Sequence, residues 1–176
     1  MSARLERPIA LIGIMGCGKS TVARLLAARS LGPAVDLDET IEAEAGCSIA
    51  ELFAGEGEAT FRRREGQALR AALGTGPRVL ACGGGIVLDP SQRSLLTERC
   101  HTVWLEVSVA EAWRRLQGSA TVRPLLIAGG ELRLRELLAE RSPLYAEVAR
   151  IRVATDGRSA EEVATAVAKT LEERCD

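Results

Sequence analysis

Gly13-Ile-Met-Gly-Cys-Gly-Lys19-Ser20 has the residue types and spacing of a phosphate-binding loop, G-x-x-x-x-G-K-[ST], with no mismatch. Glycines let a backbone curl until its N–H groups point inward at one anion. A lysine at the end of such a loop sets a full charge against the β- and γ-phosphates. The serine after it offers a hydroxyl to Mg²⁺. Lys19 and Lys169 are the only lysines among 23 basic residues, so a lysine at this place points to chemistry. The bland alternative is a glycine-rich turn beside an ordinary surface lysine. The flanks argue against it. Ile9–Ile12 reads as a buried strand, and residues 20–30 read as a helix with Val22, Leu25 and Leu26 on one face. The chain is predicted to bind a nucleoside triphosphate.

Four further places carry chemistry. In Val35-Asp36-Leu37-Asp38, strand alternation would point both carboxylates at the carboxyl edge of a sheet, where open α/β sheets bind ligands. One would serve the water shell of a metal and the other a substrate hydroxyl; alternatively both cap the next helix. In Phe61-Arg62-Arg63-Arg64-Glu65, helical spacing puts Arg62 and Glu65 on one side. That is either a preorganised fork for a carboxylate or a solvated charged face. Cys82-Gly83-Gly84-Gly85 follows a strand and either admits a ligand close to the backbone or makes a flexible turn. Arg123, in Arg123-Pro-Leu-Leu126, lies in a suspected lid whose closure would carry its charge onto a transferring phosphate, and Arg141 stands in Arg141-Ser-Pro-Leu-Tyr145. Otherwise they are a surface arginine and a helix-end arginine. Pro143 is expected to disturb the helix that carries Arg141.

These residues need a scaffold. Strands are predicted at Ile9–Ile12, Ala34–Asp36, Val79–Ala81, Thr102–Val107 and Ile151–Ala154, with helical patterns between them. Ser48-Ile-Ala-Glu51, Ser108-Val-Ala-Glu111 and Ser159-Ala-Glu-Glu162 read as capping boxes, and Asp89-Pro90 as a cap with proline at the first helical position. The alternation predicts an α/β protein with a parallel sheet covered on both faces. At 176 residues, a single domain over 1–176 is expected. Residues 118–130 have the least structural pattern and are expected to form a mobile lid, or else an ordinary surface loop. Net charge is −1, which supplies no field for nucleic acid or an anionic membrane. No apolar run is long enough to span a bilayer, and residues 1–8 lack a signal core, so a cytoplasmic chain is expected. The five cysteines are odd in number and form no C-x-x-C pair, so free thiols are expected. Cys17 lies in the phosphate loop, either as a small filler of a tight turn or as an oxidation-sensitive thiol.

In this order and at these spacings, the motifs resemble the shikimate kinase family, small relatives of the nucleoside monophosphate kinases. The resemblance covers about residues 9–158. It rests on Gly13-x-Met-Gly-x-Gly-Lys19-Ser20, Asp36-x-Asp38, Ser48-Ile-x-Glu-x-Phe53, Gly57-Glu-x-x-Phe61-Arg62-x-x-Glu65, the triple glycine, Arg123-Pro-Leu-Leu and Arg141-x-Pro-Leu-Tyr145. It implies a P-loop NTPase fold with a five-stranded parallel sheet ordered 2-3-1-4-5. It implies ATP-dependent phosphorylation of the shikimate 3-hydroxyl, with Mg²⁺ as cofactor, in a protein that is usually a monomer. Gly16, Cys17, Gly18, Lys19, Ser20 and Thr21 would hold the ATP phosphates, with Ser20 on Mg²⁺ and Asp36 reaching the metal through water. Asp38 would hydrogen-bond the substrate hydroxyls, including the one that attacks. Arg62 and Arg141 would grip the carboxylate, with Glu65 orienting Arg62. Gly83, Gly84 and Gly85 would line the substrate through their backbone, and Ile49, Phe53 and Phe61 would wall the ring, within substrate-binding helices over about 38–66. Arg123 would act from the lid, and Arg115 and Arg158 would flank the adenine. Cys17 and Cys82 stand where the family tends to have another small residue or a threonine.

The nearest rival reading shares the architecture, and two others come from different classes. A gluconate or nucleoside monophosphate kinase fits the phosphate loop, but not the Asp-x-Asp pair, the triple glycine and Arg123-Pro-Leu-Leu. A kinase-like binding protein without catalysis conflicts with intact Lys19, Ser20, Asp36, Asp38 and Arg123. A nucleic-acid ATPase lacks its basic aromatic stripe.

Overall fold

Apolar runs of three to six residues build the centre of the protein. The structure, a computed structural model, describes residues 7–29, 31–76, 78–118 and 129–175. The strands are β1 (Ile9–Ile12), β2 (Ala34–Asp36), β3 (Val79–Ala81), β4 (His101–Glu106) and β5 (Ile151–Ala154). They pair in parallel in the order β2-β3-β1-β4-β5, as expected. β4 starts one residue earlier than the apolar run implies, because His101 pairs with Ile9 and its N–H donates to the Pro8 carbonyl. His101 is half-buried; burial, then Arg7 and Arg150, lower its pKa and keep it neutral.

β1 is fully buried, as a central strand covered on both faces must be. Its side chains alternate between two apolar layers. Ile9 and Leu11 join Val22, Leu26, Val103 and Val163 on one face of the sheet. Ala10 and Ile12 join Leu37, Phe61, Leu80, Trp104 and Tyr145 on the other. The covering helices are α1 (Lys19–Ala28), α2 (Leu37–Ala45), α3 (Ile49–Leu73), α4 (Pro90–Arg99), α5 (Val109–Gln117), α6 (Gly130–Val148) and α7 (Ala160–Cys175), with a 3-10 turn at Ile86–Leu88.

Local chemistry sets the helix ends. Ser48 accepts from the Glu51 N–H, and Glu51 accepts from the Ser48 N–H at 2.8 Å, so that capping box is complete. The Ser159–Glu162 box is complete in the same way. At Ser108 only half a box forms. Ser108 Oγ accepts from Glu111, but the Ser108 N–H donates to Asp156 Oδ1 at 2.9 Å, because Glu111 is bound by Arg114 and Arg115. Asp89 caps α4 as read, with Pro90 at its first position. Pro143 does not end α6, which continues to Val148. It removes one rung of the helix, and the adjacent Ser142 hydroxyl bonds the Leu138 carbonyl at 2.6 Å. Arg123 and most of the expected lid, residues 119–128, lie outside the described residues.

Candidate active site

The carboxyl ends of β1, β2 and β3 open into one cleft of about 880 Å³. β1 runs into the phosphate loop. Gly16, at φ +86°, sits so close to α5 that a Cβ there would stand 2.8 Å from the Ala112 carbonyl oxygen. Only glycine meets both conditions. Lys19 Nζ donates to the carbonyls of Gly13 at 2.9 Å and Ile14 at 3.1 Å, which holds its charge over the loop. Gly16, Gly18, Lys19, Ser20 and Thr21 line the cleft. Cys17 is buried and fills the turn, its Sγ 2.9 Å from where a Gly13 Cβ would stand.

β2 delivers the two aspartates by a different route from strand alternation. The strand ends at Asp36 and α2 begins at Leu37, so Asp38 lies in the first helical turn. Asp36 Oδ1 caps that helix, accepting from the N–H groups of Asp38 at 3.0 Å and Glu39 at 3.3 Å. Asp36 Oδ2 accepts from Ser20 Oγ at 2.5 Å. Asp36 therefore caps the helix with one oxygen while its other stays beside the phosphate-loop serine. Hard oxygens of one hydroxyl and one carboxylate, side by side at the mouth of a phosphate loop, fit Mg²⁺, which fills its other positions with phosphate and water. Both aspartates line the cleft.

The other end of the cleft is built by α3 and the loop after β3. Arg62 Nη1 donates to Glu65 Oε2 at 2.8 Å and Nη2 to Glu58 Oε1 at 3.1 Å. This is a held fork, not a solvated face. Glu65 is fully buried; burial pushes its carboxyl above the usual range against the pull of Arg62, and Asp38 adds to the rise. The triple glycine makes room for these side chains. A Cβ on Gly83 would stand 2.3 Å from Glu65 Oε1 and 3.1 Å from Asp38 Oδ1. A Cβ on Gly85 would collide with the Arg62 guanidinium at 2.4 Å. Gly84 instead faces the phosphate loop and Arg141, with no approach under 3.4 Å. Arg141 comes from α6 and is only 3% exposed, although it lines the cleft. Ile49, Phe53 and Phe61 form an apolar wall of the cleft, with the two phenyl centroids 4.9 Å apart.

Beside the phosphate loop lies a second cavity of about 230 Å³, lined by Thr21, Arg115, Thr155 and Arg158 among others. Arg115 is tied down on three sides. It donates to Glu111 at 2.8 Å, to the Gly16 carbonyl at 3.3 Å, and to the hydroxyl and carbonyl of Thr155 at 3.1 and 2.9 Å. Arg158 is exposed, and its N–H closes a turn onto the Thr155 carbonyl.

The cleft thus gathers every predicted site residue except Cys17, which is buried beside it, Arg158, which lines the second cavity, and Arg123, outside the described residues. Three further contributors stand in the quoted motifs but were given no role from the sequence. Glu58 shares Arg62. Gly57 bends α3, with φ +81° and ψ 169° inside the helix. Tyr145 reaches the triple-glycine loop from α6. Its place four residues after Arg141, one helical turn along the same face, was the available signal.

A family model described as shikimate kinase matches residues 15–172. The chain belongs to the shikimate kinase family. The shikimate kinase of Streptomyces coelicolor is 46% identical over 98% of this chain and 98% of its own. That of Symbiobacterium thermophilum is 40% identical over 94% of this chain and 97% of its own. Among solved structures, shikimate kinase from Acinetobacter baumannii in complex with shikimate superposes with a TM-score of 0.92, at 34% identity, covering 97% of this chain and 96% of that one. The protein is a kinase of this family, with a P-loop fold. No helix among the described residues is long and apolar enough to cross a membrane.

Proposed function

We propose that this enzyme transfers the γ-phosphoryl group of ATP to the 3-hydroxyl of shikimate, giving shikimate 3-phosphate and ADP on the way to chorismate. One observation carries the reading. Two arginines, the carboxylate-held Arg62 and the buried Arg141, border the same short glycine loop, and Asp38 meets that loop at Gly83, all in one cleft with the phosphate loop. A small ring acid bearing one carboxylate and several hydroxyls matches that hold. Arg62 and Arg141 take the carboxylate, Asp38 takes the hydroxyls, and Ile49, Phe53 and Phe61 pack the ring.

Phosphoryl transfer depends on positioning and charge neutralisation more than on covalent chemistry. Lys19 and the loop N–H groups neutralise the β- and γ-phosphates, and Arg123 adds its charge from the 118–130 segment. Ser20 would hold Mg²⁺, with Asp36 reaching it through water, and the ion would supply screening of the phosphate charge. Asp38 aims the 3-hydroxyl and accepts its hydrogen bond. Glu65 keeps Arg62 in the orientation that the carboxylate meets. Gly83, Gly84 and Gly85 present their backbone to the substrate as well as giving way to Arg62 and Glu65. Arg115 and Arg158 flank the adenine, a reading supported by their shared cavity beside Thr21. The proposal includes a cytoplasmic monomer, as the family resemblance implies.

The test is a coupled ADP-release assay with Mg-ATP and shikimate, run against quinate, gluconate and nucleoside monophosphates, with Asp38→Asn as control. Turnover with shikimate alone, lost in the variant while ATP still binds, is the expected result. Turnover with another acceptor and none with shikimate would overturn the assignment.

A further inference from the structure

Tyr145 has no role in the mechanism above, yet its surroundings tie it to both ends of the cleft. It is fully buried on α6, one helical turn after Arg141, so the two side chains leave the same face. Its hydroxyl donates to the Gly84 carbonyl at 2.5 Å. Its ring lies against Trp104 of β4, with centroids 5.7 Å apart and planes inclined by 39°. The sheet therefore fixes where the ring sits, and the ring fixes where the hydroxyl points.

A buried phenol must find an acceptor, and any nearby carbonyl would satisfy it. The partner here is the middle residue of the triple glycine, and that residue is a crossing point. A Cβ on Gly84 would stand 3.4 Å from the Gly13 carbonyl oxygen, 3.6 Å from the Met15 nitrogen and 3.6 Å from Arg141 Nη1. The Gly84 α-carbon thus faces the phosphate-loop backbone and the Arg141 guanidinium together. Burial pushes the Tyr145 phenol well up against the pull of the Arg141 charge, with Cys17 and Glu65 reinforcing the rise, so it stays protonated and remains a donor.

We infer that Tyr145 is a positioning residue for phosphoryl transfer: its hydrogen bond to Gly84 sets the separation between the phosphate loop and the Arg141 guanidinium. The inference rests on the proposed role of Arg141 as a partner of the acceptor carboxylate. Removing the hydroxyl frees the glycine peptide and lets Arg141 and the bound acceptor drift relative to the γ-phosphate. Displacements of about an ångström at such a distance cost roughly a hundredfold in rate.

The test is a kinetic cycle of Tyr145→Phe, Arg141→Ala and the double variant, with both substrates varied. For Tyr145→Phe, kcat/KM for shikimate is expected to fall roughly ten- to a hundredfold, while KM for ATP stays within about twofold of the parent. In the Arg141→Ala background, Tyr145→Phe is expected to leave the shikimate KM unchanged, because the group it positions is gone. Equilibrium titration of shikimate and of ATP, well below the melting midpoint of each variant, reads the same split without turnover. An unchanged shikimate kcat/KM in Tyr145→Phe overturns the inference. So do equal losses for both substrates, which would mark a merely structural tyrosine, and so does full additivity in the double variant. A normal shikimate KM in Arg141→Ala would instead overturn the proposed acceptor site itself.

Discussion

Gly85 is glycine because of Arg62. The atom that a side chain at position 85 would strike is the far end of a flexible arginine, not backbone, so Gly85→Ala is accommodated by the fold. The cost falls on function, because the displaced guanidinium leaves its place between Glu65 and the acceptor. Gly85→Ala is therefore expected to keep its melting temperature within a few degrees and to lose shikimate affinity at least tenfold, with ATP affinity nearly unchanged. Arg62→Ala is expected to weaken shikimate binding by about 2–5 kcal/mol, since it strips the partner from a desolvated carboxylate. Titrating both ligands into each variant checks the split; equal losses for ATP and shikimate would remove Arg62 from the acceptor site. Gly83 is a harder case, because the atom it makes room for belongs to the buried Glu65.

At the scale of elements, the bend in α3 joins two walls of the cleft. Gly57 divides a segment carrying Ile49 and Phe53 from one carrying Phe61, Arg62 and Glu65. Nothing lies within 4 Å of a Cβ built on Gly57, so the demand there is purely conformational. Gly57→Ala forces a side chain into a glycine-only region, and about 1–3 kcal/mol of stability is expected to go. A thermal melt reads this as a fall of roughly 2–12 °C for a chain of this size, and the shikimate KM is expected to rise as Phe53 shifts against Phe61. Much of this was legible beforehand, for physical reasons. A phosphate loop is a local motif, and buried parallel strands are short apolar runs, so the phosphate loop and four strand boundaries were as read; the sheet order came from the family resemblance. What failed was one local boundary and two features that depend on distant partners. Strand alternation put Asp36 and Asp38 on one edge, but Asp36 turns its own carboxylate to cap the next helix, and Asp38 arrives by a helical turn. The Ser108 box lost its glutamate to Arg114 and Arg115, the second of which also holds Thr155, forty residues away. Tyr145 reads as core from its helix, and is core; its hydroxyl partner sits on a loop 61 residues earlier.

At the scale of the whole molecule, acid acts through a few carboxylates at or near the surface. Hydrogen bonds from Arg114, then from Arg115, hold the Glu111 carboxyl down at about 2. Glu51, Asp89 and Glu162 are lowered by the serines they bond at helix starts. Groups depressed by folding contribute stability above their unfolded pKa, and that contribution drains as pH falls through the folded value. Glu65 has the opposite sign: its raised carboxyl favours the folded state below its unfolded pKa and opposes it as pH climbs through the folded one. The melting temperature is therefore expected to fall between pH 5 and pH 2, and Glu111→Gln is expected to flatten that slope; melts across the range check it. Arg115, the residue Glu111 holds, also bears on how the protein is made. It fastens the Gly16 carbonyl to Thr155, and roughly 140 residues of chain lie between those two. At about 5–20 residues per second on a ribosome, the phosphate loop leaves the peptidyl centre roughly 7–30 seconds before the threonine that clamps it has been joined to the chain. For the earlier part of that interval β1, destined for the middle of the sheet, also lacks β3 and then β4. A nascent chain of this enzyme thus carries its most recognisable motif long before it can bind what the motif is for.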